Sequence, residues 1–393
     1  MKNKLIVMII LLTLLISCTK EKPFTETEVD GVKIIENSKA GINKDLSFKI
    51  DHIMTIENNE EDTTFVLNFP QHRADLNSDL DKDGNLYVVD NVKSFILKFD
   101  KTGKFVQKWG AKGQGPGEFP FNPIDINVVD SENKVYVFDG SGRLSIFDKD
   151  GNFDKFYNIL SRGVRAKNLY MTNYGPLFVC EAFEGQWGSS EFKMGVCLYN
   201  SSPEFEVKDK IYGELKPFDM KNVDADDQGV LTAISGKYIY VADGSKNNYI
   251  IYQYDYEGKK IREIRKKYAP LRRSKEDIEE INEALKKVSQ SMGGMIEFKD
   301  VSPLRSVMTQ MFVDSKDNLW VGVNESMFNE EGQDFDIFNK EGHFLKTVTV
   351  PEFGGYKLRS KDKYVIAGTP IQQNYSEGGK ADVTIKVFEL SVH

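Results

Sequence analysis

A glycine-rich stretch from Trp109 to Pro123, WGAKGQGPGEFPFNP, is the first candidate for chemistry, because glycine loops cradle phosphates in nucleotide-binding proteins. Such a loop needs Gly-x-x-x-x-Gly-Lys followed by Ser or Thr and a helix, and the sequence has no such string. Pro120 and Pro123 also oppose a helix here. The stretch therefore predicts an architectural connector between two strands. Lys112 and Gln114 within it remain candidate ligand contacts.

Calcium chemistry is suggested by the string DKDGN at 81–85 and again at 148–152, because alternating acidic and amide side chains open an EF-hand loop. That loop requires Gly at its sixth position and a bidentate Glu at its twelfth. The sixth positions here are Leu86 and Phe153, and the twelfth are Val92 and Ile159. These strings therefore predict tight hairpin turns, in which Gly takes a positive φ where the strand reverses.

The chain has few residues and no recognised motif for catalysis by histidine, cysteine or serine. It contains 4 His and 3 Cys, with no His-Glu-x-x-His, no Cys-x-x-Cys and no Gly-x-Ser-x-Gly. The formal net charge of -8 disfavours a nucleic-acid partner, which requires a basic surface. No recognisable catalytic constellation remains, so the sequence favours a binding role over an enzyme.

The elements that carry these residues form a repeat. Residues 84–110 read GNLYVVDNVKSFILKFDKTGKFVQKWG, and residues 133–157 read NKVYVFDGSGRLSIFDKDGNFDKFY. Both contain an alternating strand ending in Asp, a polar break, a second strand, a tight turn and a third strand. Six copies share an apolar or aromatic marker, at Tyr87, Tyr136, Phe178, Tyr240, Trp320 and Val365. Six copies that each contain several short strands predict an all-β fold, a six-bladed β-propeller.

A fourth strand precedes each triplet and would lie nearest the axis. The last copy ends at Phe388–Val392 after its third strand, and the strand-like segment Leu46–Glu57 stands ahead of the first repeat. We therefore expect the N-terminal segment to supply the missing outer strand, since ring closure leaves no unpaired edge. The expected organisation is a signal peptide at 1–17, a lipidated N-terminus and tether at 18–45, and a propeller at 46–393.

Long insertions are predicted on one face of the disc, and tight turns on the other. The insertions are residues 109–123, 181–191, 266–305, 324–333 and 369–380. The segment at about 266–305, between the fourth and fifth copies, contains a predicted helix with Ser274 as its N-cap and Asp277 three residues on. We expect the helix to pack as a lid on the disc rim and the loop-rich face to bind ligands.

The connector and the strand after Gly84 carry a resemblance to a known family. Trp109-Gly110, Gly115-Pro116-Gly117-Glu118-Phe119 and the string GNLYVVD at 84–90 resemble the linker and first strand of NHL-repeat propellers. With its lipoprotein signal, the chain resembles bacterial six-bladed β-propeller lipoproteins over residues 46–393. The resemblance is specific in the first two copies and degenerate afterwards. It implies a cell-envelope protein and does not identify a ligand.

A metal-dependent hydrolase is the alternative function. Gluconolactonase-like six-bladed propellers hold a divalent cation such as calcium in the central channel, with Glu, Asn and Asp from inner strands. The matching residue types lie at or near the starts of inner strands here, at Asp125, Asn168, Asp226 and Asp227. Acidic residues at a solvated channel mouth are an equally open explanation. The principal prediction therefore contains no cofactor.

Cationic and aromatic residues on the loop-rich side are candidate ligand contacts for a carbohydrate, a peptide or an envelope protein partner. Arg forks and indole faces anchor carboxylates, sugars and peptides. The candidates are Arg73, Trp109, Lys112, Gln114, Lys167, Trp187 and Arg305. The cations at strand ends would equally pair with neighbouring aspartates.

The first residues, MKNKLIVMIILLTLLISC, form a positive start and a short apolar run that ends at Cys18. The run is shorter than the roughly 20 residues that a spanning helix needs, so it predicts a secretory signal. Leu15-Ile16-Ser17-Cys18 resembles a bacterial lipobox, which implies lipid on Cys18 and attachment to the outer membrane. Cys180 and Cys197 flank a predicted hairpin and are either a cross-strand disulfide or buried free thiols.

Overall fold

The repeated units fold into six antiparallel sheets arranged as the blades of a β-propeller, which confirms the predicted fold. The computed structural model describes residues 22–43, 45–57, 77–90, 92–159, 163–225, 229–244, 247–323, 332–368 and 384–393. Each blade is built on four strands, and the first strand of each is nearest the axis. The middle strands are buried on both sides, because neighbouring blades pack face to face.

The strands of the first three blades follow the chain order. Blade 1 contains β4 (Ser78–Leu80), β5 (Leu86–Asp90), β6 (Phe95–Phe99) and β7 (Phe105–Trp109). Blade 2 contains β8 (Pro123–Val129), β9 (Lys134–Asp139), β10 (Arg143–Asp148) and β11 (Phe153–Asn158). Blade 3 contains β12 (Val164–Thr172), β13 (Gly175–Glu184), β14 (Lys193–Ser201), β15 (Val207–Tyr212) and the short β16 (Lys216–Pro217).

The other three blades include strands from the N-terminal segment. Blade 4 contains β17 (Val230–Ile234), β18 (Ile239–Asp243), β19 (Ile250–Tyr254) and β20 (Lys260–Lys266), extended by β1 (Phe24–Val29) and β2 (Val32–Asn37). Blade 5 contains β21 (Gln310–Val313), β22 (Leu319–Val323), β23 (Gln333–Phe338) and β24 (Phe344–Val350). Blade 6 contains β25 (Lys357–Lys361), β26 (Tyr364–Gly368), β27 (Thr384–Val392) and β3 (Phe48–Glu57).

The ring closes as the sequence predicts. Strand β3 pairs antiparallel with β27 along its length and becomes the outer strand of blade 6. Met54 and Ile56 of β3 are buried against blade 1. Closure by the N-terminal segment therefore removes the free edge of β27 and joins blade 6 to blade 1.

The segment predicted as a tether is partly folded, which corrects the expected boundary at residue 45. Strands β1 and β2 form a hairpin through Asp30 and Gly31, both with positive φ. Strand β2 then pairs parallel with β20, and Ile35 of β2 is 1% exposed. The Asp-Gly turn was a readable hairpin signal. The polar side chains of β1 concealed it, because only one side of this hairpin is buried.

The DKDGN strings form hairpin turns, as predicted. The Asp81 carboxylate accepts hydrogen bonds from the backbone N–H of Asp83 and Asn85, at 3.0 and 2.9 Å. Asp148 accepts the corresponding bonds from Asp150 and Asn152. Each aspartate therefore closes its own turn through backbone donors.

The glycine-rich connector joins blades 1 and 2, as predicted. Trp109 and Phe119 pack with Phe147 in the cluster between these blades, and Phe119 is fully buried. Gly151 has φ +84, and a Cβ there would lie 2.8 Å from the Trp109 ring. The connector therefore places aromatic rings between two blades. The β10–β11 turn that packs on Trp109 requires glycine at position 151, because a side chain there would contact the Trp109 ring.

The insertion between blades 4 and 5 contains α1 (Lys275–Ser291), the predicted helix. The Ser274 hydroxyl accepts the backbone N–H of Asp277, and the Asp277 carboxylate accepts the backbone N–H of Ser274, which completes a capping box. No residue of α1 is fully buried. The helix is held to the disc through its start and its loop partners, including an ion pair between Arg305 and Asp277 at 2.8 Å.

Candidate functional site

The central channel contains the first predicted metal ligand, Asp125, which is 2% exposed. Its Oδ2 accepts the backbone N–H of Leu169 in blade 3 at 2.7 Å. Its Oδ1 accepts the backbone N–H of Ile126 at 2.9 Å and the Arg359 guanidinium of blade 6 at 3.1 Å. Both carboxylate oxygens therefore join blades, and Arg359 reaches Asp125 past blade 1, which lies between blades 6 and 2.

A second carboxylate in the channel is used in the same way. Asp79 Oδ2 accepts the backbone N–H of Val128 in blade 2 at 2.7 Å and the Lys361 ammonium of blade 6 at 2.9 Å. Its Oδ1 accepts the backbone N–H of Leu80. Gln310 Oε1 of blade 5 likewise accepts the backbone N–H of Leu358 in blade 6. Inner-strand side chains thus hold neighbouring blades together through backbone donors.

Burial raises the pKa of Asp125 to about 6, against the opposing effect of the Arg359 charge and the two backbone donors. The desolvation of the carboxylate exceeds what its partners return. The raised pKa is therefore a property of a buried inter-blade clamp. It needs no reacting group to explain it.

The proposed metal ligands are not brought together by the described residues. Asp125 is occupied as above, and Asn168 lies half-buried on β12 opposite Val179. Asp226 and Asp227 lie outside the described residues. Within the described ranges, no group of three or more His, Cys, Asp or Glu is placed to hold a metal ion.

A cleft of about 310 Å³ lies between blades 4 and 5, on the side where the long insertions emerge. Its walls come from the ends of β20 and β22, from β23 and β24, from the blade 4–5 insertion and from the segment after β2. This volume is at the lower end of the range for small-molecule sites, about 300–1,000 Å³. The cleft therefore accommodates a compact ligand.

A buried ion pair forms part of the cleft wall. Lys266 Nζ of blade 4 lies 2.8 Å from Asp336 Oδ2 of blade 5, with side chains 11% and 2% exposed. Thr347 donates its hydroxyl to the other Asp336 oxygen at 2.6 Å. The Lys266 ammonium also lies 4.1 Å from the centre of the Phe344 ring. No backbone N–H is described as a donor to Asp336, in contrast to the channel carboxylates.

Tyr249 lines the cleft beside this pair and is 3% exposed. Its hydroxyl makes no hydrogen bond of acceptable geometry. Burial, the nearby Asp336 charge and an interaction of the hydroxyl with that carboxylate raise the pKa of Tyr249 well above its ordinary value, so the hydroxyl remains protonated.

The N-terminal segment fastens the two blades that form the cleft. The Asn37 amide, 2% exposed, donates to the backbone carbonyls of Arg265 in blade 4 and Gly342 in the β23–β24 turn, at 3.0 Å each. Its Oδ1 accepts the backbone N–H of Phe344 at 2.8 Å. Lys39, two residues later, lines the cleft. The segment thus contributes both a clamp and a wall.

Of the predicted ligand residues, the cleft contains Arg305. Its guanidinium pairs with Asp277 at the start of α1, which ties the helix to the cleft wall. Arg73 and Cys18 lie outside the described residues. Trp109 is packed between blades 1 and 2, and the exposed Lys112 and Gln114 are on that connector. These residues therefore do not form one site with Arg305.

Two further candidates lie on blade 3. Lys167 Nζ is 3.7 Å from the Glu181 carboxylate, consistent with pairing at a strand end. Trp187 is 61% exposed and packs against Phe192 and Phe218, with ring centroids 5.0 and 6.0 Å apart. Trp187 is thus the exposed edge of a small aromatic cluster in the blade 3 insertion.

Cys180 and Cys197 face each other across β13 and β14, and both are buried free thiols. Of the two alternatives left open by the sequence, the structure shows the second. Burial raises the pKa of Cys180 to about 12, so this thiol is protonated at neutral pH.

Sequence reasoning missed Tyr249, Lys266, Asp336 and Lys39. Lys266 and Asp336 are far apart in the chain and meet because the outer strands of adjacent blades lie side by side. Two signals were available: an aspartate between the apolar Phe335 and Ile337, and a run of cations at 265–267 that ends blade 4. Neither signal reveals its partner without the tertiary structure.

A model for a protein family described as a six-bladed β-propeller matches residues 79–163, which span β4 of blade 1 to the end of blade 2. A protein described as exported, from Bacteroides fragilis NCTC 9343, has a crystal structure similar to this chain. The identity is 14%, the TM-score is 0.50, and the likeness covers 92% of this chain and 99% of that chain. Similarity at this identity shows the fold alone.

A second crystal structure, of a DUF4221 family member from Bacteroides vulgatus ATCC 8482, is 13% identical with a TM-score of 0.49 and covers 88% of this chain and 98% of that chain. No curated protein matches the sequence. The family model and the first of these structures therefore show the architecture alone.

Proposed function

We propose that this protein is a lipid-anchored β-propeller of the cell envelope that binds a small ligand in the cleft between blades 4 and 5. The observation that carries the proposal is the cleft of about 310 Å³ itself, in which the buried Lys266–Asp336 pair and the Tyr249 side chain lie beside an apolar wall. Ligand sites combine apolar walls with a few such convergent polar groups. Ala269, Leu271, Val307 and Val323 supply the apolar wall here.

Three separate segments build this cleft, which supports a binding role. The N-terminal hairpin, the blade 4–5 insertion and blade 5 each contribute to it. The tight-turn face carries no comparable elaboration among the described residues. In a repeat fold, departures from the repeat collect where recognition occurs, since the repeat itself serves packing.

The test of binding is a thermal unfolding screen of the full-length protein in detergent. The panel contains neutral monosaccharides, hexuronates, amino acids and dicarboxylates, and Leu271→Arg, placed in the cleft wall, is the comparison variant. We expect at least one compound to raise the Tm of the wild-type protein and to have less effect on the variant, because ligands stabilise the state that binds them. A panel that shifts neither protein would contradict small-molecule binding in the cleft.

Lipid anchoring rests on the Cys18 motif and on the position of the hairpin. The described chain begins at residue 22 and enters β1 at Phe24, so few residues separate Cys18 from the folded domain. The described residues contain no helix capable of crossing a membrane. Cys18→Ala is expected to move the protein from the membrane fraction to the soluble fraction, and unchanged membrane association would contradict the anchor.

The metal-dependent hydrolase stays an alternative hypothesis. Asp125 is committed to Leu169, Ile126 and Arg359, so an ion would have to displace an inter-blade clamp or use other residues. Elemental analysis of the dialysed protein tests this alternative. Stoichiometric calcium or zinc would contradict a role limited to binding.

A further inference from the structure

Two cysteines lie directly opposite each other in the middle of blade 3. The chain contains 3 Cys, of which Cys18 belongs to the lipobox-like motif. The other two, Cys180 on β13 and Cys197 on β14, are Cα partners in the antiparallel register. Both are free and 0% exposed. A single buried cysteine is explained as a small apolar side chain, but that role does not explain why two are placed face to face.

The spacing of facing residues in antiparallel strands suits a disulfide. Their Cα atoms are about 4.5 or 5.5 Å apart, depending on the hydrogen-bond pattern. A disulfide requires a Cα separation of about 4.4–6.8 Å, so either pattern is suitable. The register of β13 and β14 runs from Leu177 to Glu184 without a shift at the cysteines. Joining the two sulfurs therefore requires rotation of the side chains and little movement of the backbone.

The two thiols have different surroundings. Burial, with a smaller effect of the neighbouring Cys197, raises the pKa of Cys180 to about 12. Burial also raises the pKa of Cys197, but the Lys210 charge and the Tyr199 hydroxyl oppose that effect. The Cys197 thiol therefore ionises more readily than the Cys180 thiol. Because the thiolate is the form that attacks a disulfide, Cys197 is the residue that would react first with an oxidant.

The outer edge of blade 3 provides a route to Cys197. Gly213, directly after β15, covers the sulfur, since a Cβ at this glycine would lie 2.7 Å from Cys197 Sγ. Strand β15 is an outer strand of the blade, and its pairing with β14 shifts register twice. Irregularly paired edge strands open locally at a lower free energy than the core does. Opening of β15 therefore brings Cys197 into contact with a dissolved oxidant.

We propose that Cys180 and Cys197 are a thiol oxidation site, at which a small or protein disulfide converts them into a cross-strand disulfide that stabilises blade 3. The Cys197 thiolate attacks one sulfur of the oxidant, which forms a mixed disulfide and releases one thiolate. The Cys180 sulfur then attacks Cys197 Sγ and releases the second thiolate. Each released thiolate takes up one of the two protons that the cysteines lose, so two protein thiols are oxidised and one disulfide is reduced to two thiols. The site lies in blade 3 and is independent of the ligand cleft.

Peptide mapping by mass spectrometry tests the proposal on the full-length protein in detergent. The protein is reduced, freed of reductant and incubated with glutathione disulfide just below its Tm, where local opening is frequent. It is then denatured in N-ethylmaleimide and digested with trypsin, which cleaves after Lys193, between the two cysteines. We expect the peptides 168–193 and 194–208 to be joined by a disulfide, and alkylation of both cysteines to be lost.

Cys180→Ala is the matched variant, because it leaves Cys197 without a second thiol. The same treatment should stop there at one glutathione on Cys197. The oxidised wild-type protein is expected to unfold at a Tm about 3–5 °C above that of its reduced form, since the bond constrains residues 181–196 in the unfolded state. The variant should show no such difference between treated and untreated protein.

The wild-type protein alone can overturn the proposal, whether or not the variant folds. Alkylation of both cysteines after treatment, or one glutathione on each of them, would show that the two sulfurs do not join. A linked protein with the Tm of the reduced form would overturn the stabilising role of the bond. Ligand binding in the cleft is decided separately by the unfolding screen, which does not involve these thiols.

Discussion

The central channel and the cleft between blades 4 and 5 each contain a buried ion pair that bridges blades, but their carboxylates have different partners. In the channel, Asp125 is held by two backbone N–H groups as well as Arg359. In the cleft, Asp336 is held by the Lys266 ammonium and the Thr347 hydroxyl, and the Tyr249 hydroxyl interacts with it in poor hydrogen-bond geometry. The first carboxylate is held by backbone and side-chain donors, and the second by side-chain donors alone among the described contacts.

This difference distinguishes charged side chains that hold blades together from charged side chains that are available to bind a ligand. Backbone donors are fixed by the strands, so a carboxylate that they saturate has little capacity to bind anything else. Side-chain donors can rearrange around a ligand. A buried acid on an inner strand of this propeller is thus first explained as an inter-blade clamp. The outer cleft remains the better place to look for a ligand.

The largest expected effect comes from breaking the channel pair. Arg359→Gln leaves the Asp125 charge buried with only its backbone donors, which is expected to cost about 3–5 kcal/mol in the free energy of unfolding. Denaturant unfolding at pH 7 measures it. Lys363→Gln is the control, since Lys363 pairs with Glu389 on the surface and its loss should leave stability unchanged. A small loss of unfolding free energy in Arg359→Gln would contradict a stabilising role for the Asp125–Arg359 pair in the channel.

The next effect concerns pH, because burial raises the pKa of Asp125 from an ordinary value of 3.8 to about 6 in the folded protein. Between these values the folded state binds more protons at Asp125 than the unfolded state does. The contribution of Asp125 to stability therefore decreases as pH rises from about 4 to about 6, by an amount on the order of 3 kcal/mol.

Unfolding free energies of the wild-type protein and Asp125→Asn across this pH range measure that contribution. The difference between the two proteins should change with pH in the direction given above, because Asn does not titrate. If the unfolding free energies of the two proteins changed with pH in parallel, the Asp125 carboxylate would be better stabilised in the channel than its burial implies. The channel would then differ from the cleft even more than the contacts indicate.

The smallest expected effect has the opposite sign and comes from the cleft. Tyr249→Phe removes a buried hydroxyl that makes no hydrogen bond of good geometry, so without ligand the stability should stay the same or rise by up to about 1 kcal/mol. Thermal unfolding of the ligand-free proteins checks this. A marked loss of stability would show that the hydroxyl is bonded within the protein, and the cleft would then resemble the channel.

The sequence predicted much of the fold because a propeller repeats its local signals. The strand pattern around Tyr87 and Tyr136, the Asp-rich turns and the strand at 46–57 each repeat or complete a unit. The capping box of α1 was equally readable, since Ser274 and Asp277 are three residues apart. The N-terminal hairpin was missed because β1 is polar and exposed, and the pairing of β2 with β20, more than 200 residues away, has no local signal.

The candidate site was far less predictable. Arg305 was identified as a ligand candidate, but Trp109 and Asp125 were candidates by type and proved to be packed or clamped between blades. Residue type alone does not distinguish an aspartate held by backbone donors from one held by a lysine. That distinction depends on which strands become neighbours.

The sequence by itself determined the number of blades, the strand that closes the ring, the tight turns and the helix, because each depends on residues close together or on a pattern that recurs. Only the tertiary structure decided which charged and polar side chains would become partners. Lys266 and Asp336 meet because two blades pack side by side, and the Asn37 amide fastens both blades from a distant part of the chain. Long-range packing of this kind leaves no local periodicity in the sequence.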